Sequence, residues 1–92
     1  MAADRRIYRY REDVLAECRR HGIFPTEQTP PELARGFLNE LYKFELRKLR
    51  VRYMRREFPK TEYHRLVIEI RDKYPVLALP PRLWVVPEPF QA

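Results

Sequence analysis

Serine is absent from this sequence, asparagine occurs once, glutamine twice, and glycine only at Gly22 and Gly36. So few thermolabile amides beside abundant charge fit a thermophilic source, and so few glycines leave little to break a helix from inside. Cysteine occurs once, at Cys18, which excludes an intramolecular disulfide and makes a reducing, cytoplasmic compartment the default expectation. No apolar run approaches the length that spans a bilayer, so no membrane partner is expected. Met1-Ala2-Ala3-Asp4-Arg5-Arg6 lacks the apolar segment of a secretory signal, so the mature protein is expected to begin here. Missing too are a nucleotide-binding loop, a metal-ligand spacing and a grouped nucleophile and base. His21 and His64 fall in different predicted elements with no second Cys or His at ligand spacing. His21, directly before Gly22, reads as a basic residue in the last turn of a helix, and His64 as exposed. Cys18 occupies an apolar helical position and reads as a small buried hydrophobe rather than as a nucleophile. The expectation is a protein that is not an enzyme, with no metal, no cofactor and no small-molecule substrate.

What is present is charge and helical periodicity. The 92 residues make one domain, large enough for a modest core that oligomerisation would naturally support. The net charge of +6 comes from 15 arginines against 4 lysines, a balance that favours planar, bidentate contacts with carboxylates or phosphates.

The spacing predicts an all-α chain of three helices, over about 4–21, 30–57 and 61–74, followed by an extended, Pro-rich, apolar tail over 75–92. Asp4 is the expected cap of the first helix, whose apolar positions are Ile7, Tyr10, Val14, Leu15 and Cys18, and Gly22 is its expected stop. Thr29, Pro30 and Glu32 read as a capping box that opens the second. Propagated at about a hundred degrees per residue, that helix carries Leu33, Phe37, Leu41, Phe44 and Val51 on one flank. Leu38, Tyr42, Leu46, Leu49 and Tyr53 fall on the adjoining flank, so the helix needs cover on two sides. Phe58-Pro59 ends it, Thr61 is the expected cap of the third helix, and Pro75 stops that one. The tail, with Leu77, Leu79, Leu83, Trp84, Val85, Val86 and Phe90, is too apolar to stay in water. Wrapping its own helices is the first expectation and docking on a neighbour the second.

Two groups of residues invite a functional reading. Glu45 and Arg52 lie two turns apart within the apolar arc, which most simply makes an ion network or an interface contact. Lys43, Arg47 and Arg50 form a stripe that Arg55 and Arg56 extend. Such a stripe can neutralise successive phosphates, with Tyr42 and Tyr53 at its margin to stack on bases, although a run of charge is more commonly a solvated face.

Leu46-Arg47-Lys48-Leu49-Arg50, Arg56-Glu57-Phe58-Pro59, Thr61-Glu62-Tyr63 and Ile70 together resemble the SHOCT domain, a short bacterial helical hairpin. The likeness covers under a third of the chain and departs from the family at Arg56, where a turn glycine is expected. It implies an interaction or oligomerisation module without catalytic residues, packed through Leu46, Leu49, Phe58, Tyr63, Leu66 and Ile70. The leading expectation is therefore a small helical interaction protein, a homodimer or a subunit of a larger complex. Leu46, Leu49, Tyr53, Leu83 and Trp84 are its candidate interface. The alternative is a nucleic-acid or ribosome-associated protein using Lys43, Arg47, Arg50, Arg55 and Arg56.

Overall fold

The computed structural model describes residues 7–87. Three helices follow in order: α1 (Glu12–Arg20), α2 (Pro31–Met54) and α3 (Lys60–Asp72). Two 3₁₀ turns, Pro75–Ala78 and Pro81–Leu83, come after them. The all-α class with a long central helix is as the periodicity indicates, and the described residues contain no strand, only an isolated antiparallel bridge between Tyr10 and Val85. No helix among them is long and apolar enough to cross a membrane.

The first helix is shorter than expected, starting at Glu12; the Asp4 cap lies outside the described residues. Residues 9–11 are extended because their backbone is engaged elsewhere. The Arg11 N–H donates to the Trp84 carbonyl (3.0 Å) and the Val86 N–H to the Arg9 carbonyl (2.7 Å). Upstream, the Tyr8 N–H donates to the Glu27 carbonyl (2.8 Å). Tyr10, counted as a helical core position, is instead a buried extended residue whose hydroxyl donates to the Thr29 carbonyl. The tail thus wraps its own chain as far as Pro87, folded into 3₁₀ turns that the prolines start, and Phe90 lies outside the described residues.

The second helix begins one residue later than the capping box places it, with Pro30 as cap and Pro31 at the first helical position. Thr29 does not cap it: its hydroxyl accepts from the Thr26 N–H (3.0 Å), and the Thr26 hydroxyl from the Gln28 N–H (3.1 Å). The helix stops at Met54, three residues before the expected end, and the third likewise starts before Thr61, with Pro59 as its cap.

Both α1 and α2 end in the same six-residue closure. At α1, Ile23 N–H reaches the Cys18 carbonyl (2.9 Å) and Gly22 N–H the Arg19 carbonyl (3.0 Å), with Gly22 at φ +80°. At α2 the corresponding bonds run from Glu57 to Arg52 (3.2 Å) and from Arg56 to Tyr53 (2.9 Å), and the left-handed residue is Arg56, φ +61°.

The core joins all of these pieces. Trp84, Leu38, Val14 and Cys18 are its largest fully buried side chains, with Tyr10, Ala34, Leu49, Ile70, Tyr74 and Val76 around them. The Trp84 indole N–H lies 3.1 Å from the Val76 carbonyl and 3.2 Å from that of Leu79, so the turn before it closes on its ring. Arg35 of α2 fixes the same turn from the other side, donating to the Leu77 and Leu79 carbonyls.

A candidate docking face on the central helix

α2 spans roughly 36 Å at about 1.5 Å per residue, and its two apolar flanks meet different fates. Leu38 and Leu49 are buried, Tyr42 and Leu46 pack on the core from α2's inner side, and Tyr53 is half-buried against Phe58 and Tyr63. Leu49 and Trp84, expected at an interface, are therefore already covered by the chain's own elements, and Leu46 and Tyr53 are half-covered. Of the five candidate interface residues only Leu83 keeps a large exposed surface.

The other flank is open. Leu33 (50%), Phe37 (53%), Leu41 (37%), Phe44 (52%), Val51 (48%) and Met54 (67%) form one exposed apolar row along the helix. Each rises three, four or seven residues after the last, which keeps them on one side of a helix. A groove of about 650 Å³ opens at the row's N-terminal end, lined by Ile23, Phe24, Leu33, Phe37 and Leu41 among others. It exists because the α1–α2 connector turns away at Gly22 and leaves Phe24 standing beside the helix, 69% exposed. Met54 was the one member of this row that helical spacing left uncounted.

The cations divide as well. Lys43 is paired with Glu40 (3.1 Å) and Arg52 with Glu57 (2.9 Å), whereas Arg47, Arg50, Arg55 and Arg56 are exposed with no ion pair among the described residues. Tyr42 and Tyr53 are not free to stack on bases. Tyr42 sets its edge against Tyr74 (5.4 Å, 61°), and Tyr53 lies between Phe58 (6.3 Å) and Tyr63 (4.4 Å).

Glu45 does not meet Arg52. It takes Lys73 (2.9 Å) and the Tyr74 hydroxyl from the far end of α3, and His21 stacks on the Tyr74 ring (4.2 Å, 12°) while its Nε2 donates to the Lys73 carbonyl (2.8 Å). Burial alone would raise the Glu45 pKa, but the Tyr74 and Lys73 hydrogen bonds and the charges of Lys73 and His21 outweigh it, so the carboxyl sits below its usual range. Burial, and then the bond to Glu45 and its charge, push the Tyr74 phenol far up. With every member satisfied by a neighbour, this cluster ties α1 to α2 and α3. Cys18 is fully buried, and burial followed by the Glu17 charge raises its thiol pKa, which opposes thiolate formation. His64 is exposed, and no group of three or more metal-ligating side chains forms among the described residues.

Compared with protein-family models, with curated proteins and with solved structures, the chain matches none of them.

Proposed function

We propose that this chain is a small, non-enzymatic helical interaction protein that docks through the outer flank of α2. One observation carries the reading: six large apolar side chains in a continuous exposed row, on a helix whose opposite side already fills the core. Exposed apolar residues scattered singly need no explanation, but a contiguous row ending in a groove is the surface of a molecule that meets another. The interaction role implied by the likeness to SHOCT hairpins points the same way. Docking of this kind persists in high salt, because its driving force is removal of apolar surface from water. The test is association measured across a salt series for the native chain and for Phe37→Glu and Phe44→Glu. Loss with either acidic variant and indifference to salt support the reading, and the reverse pattern sinks it.

A second reading rests on Arg47, Arg50, Arg55 and Arg56, exposed and without ion pairs among the described residues. If they meet nucleic-acid phosphates, log affinity for duplex falls against log salt with a slope of about −3 to −4 for four contacts. Reversing Arg47 and Arg50 to glutamate removes about two from that slope. Fluorescence anisotropy with RNA and DNA duplexes reads both.

A further inference from the structure

Phe37, Leu41, Phe44, Lys48 and Val51 follow one another at four, three, four and three residues, all exposed. That is the spacing of a two-helix coiled-coil seam, with a single lysine in it of the kind that fixes register. Beside it runs a second row at strict seven-residue steps: Leu33, Glu40, Arg47 and Met54. Apolar, acidic, basic, apolar is an order that complements its own reversal. Laid antiparallel on a copy of itself, Leu33 meets Met54 and Glu40 meets Arg47, and each pair occurs twice. Laid parallel, the helix sets the cationic ends holding Arg47, Lys48, Arg50 and Arg52 against one another.

From this, and resting on the docking face proposed above, we infer that the occupant of the outer flank of α2 is the same flank of a second copy, antiparallel about a two-fold axis near Tyr42 and Lys43. The groove beside Leu33 and Phe37 then receives Met54 of the other copy, the most exposed side chain of the row. Lys48, whose ammonium lies over its own Phe44 ring at 5.3 Å, comes opposite Phe37 of the second copy. At the exposures found, the six side chains and Phe24 offer roughly 600–700 Å² of apolar surface per copy, so two copies cover roughly 1,300 Å², within the range of stable specific interfaces. A two-fold pairing of one patch with itself is also the commonest way that soluble chains associate.

The experiment is sedimentation equilibrium on the full chain over a concentration series, with circular dichroism to confirm that each variant remains helical. The native chain is expected at twice its 11.3 kDa mass. Phe44→Glu enters the interface twice and weakens the dimer by at least about thirtyfold. Glu40→Arg and Arg47→Glu each weaken it several-fold, and an equimolar mixture of those two restores it, because one chain then carries two arginines where the other carries two glutamates. A dimer indifferent to Phe44→Glu, or a mixture that is not restored, overturns the antiparallel pairing. A native chain that stays monomeric overturns self-association altogether, and binding of an anilinonaphthalene sulfonate dye then separates the two readings. Dye fluorescence lost in Phe44→Glu keeps an apolar docking face for another partner; no dye response overturns that face as well.

Discussion

Gly22 and Arg56 hold the same station at the ends of two helices, one residue past the cap with positive φ and the same pair of closing bonds. A side chain pays about 1 kcal/mol or more to sit there, and glycine does not. Arg56→Gly is expected to stabilise the chain by about 0.5–1 kcal/mol, read as a higher urea midpoint at unchanged slope. Gly22→Ala has open space for its methyl group yet is expected to lose about 1 kcal/mol to backbone strain alone. Glu45 sets the acid limb of stability. Its pKa is lower folded than unfolded, so the contribution is complete above the ordinary carboxylate value near 4.3 and is lost as pH falls through the folded value. Tyr74 and Tyr10 act at the other end. Burial, then the Cys18, Glu32 and Tyr8 charges, push Tyr10 up to about 12, so the stability tied to keeping both phenols neutral is whole below the ordinary value near 10 and lost as pH rises through the folded values. Glu45→Gln is therefore expected to cost about 1 kcal/mol at neutral pH and to flatten the acid limb, measured by thermal melts from pH 3 to 7.

Among the elements, α2 and α3 were legible because their apolar residues keep helical spacing and their prolines mark the starts, and the structure moves their bounds by one to three residues. Neither Thr29 nor Thr61 caps its helix, since a proline one residue after the first and two residues before the second takes over the start. Residues 7–11 were misread. Ile7, Tyr10 and Val14 fit a helix by spacing, yet Tyr8-Arg9-Tyr10-Arg11 also alternates, and the extended form wins because Trp84 and Val86, from the far end of the chain, and Glu27 supply its hydrogen bonds. No local pattern carries that information. Trp84 shows the same limit: its apolar character was evident, but only the fold reveals that Leu49 and Trp84 are core and that Phe37 and Phe44 are surface. Trp84→Ala is expected to cost about 3–5 kcal/mol, enough to unfold a domain of this size, while Trp84→Phe costs less and frees the Val76 and Leu79 carbonyls that the indole N–H satisfies. Chemical denaturation of the three proteins orders them native, Phe, Ala.

At the scale of the whole molecule, the radius of gyration is 17.0 Å, against about 12 Å for a compact chain of this length, with extents of 59 × 26 × 18 Å. An elongated body buries less of its apolar surface than a sphere would, which is why α2 has a side left over outside the core. Two such bodies joined along α2 add breadth faster than length. Their sedimentation coefficient is accordingly expected to rise by nearly the full factor for a doubled mass in a more rounded particle, whereas end-to-end association would raise it less.

The bonds between residues 9–11 and 84–86, and the Arg11 guanidinium on the Leu83 carbonyl across 72 positions of sequence, also dictate an order of events. The α2–α3 hairpin needs only local encounters, so it forms early, whereas the seam between the two ends must wait for the slow closure of a long loop. In pulsed hydrogen exchange during refolding, the α2 and α3 amides are expected to gain protection in an earlier phase than those of Arg11 and Val86. The indole of Trp84 will report that last phase by its fluorescence: a chain can look fully helical while its tryptophan is still in water.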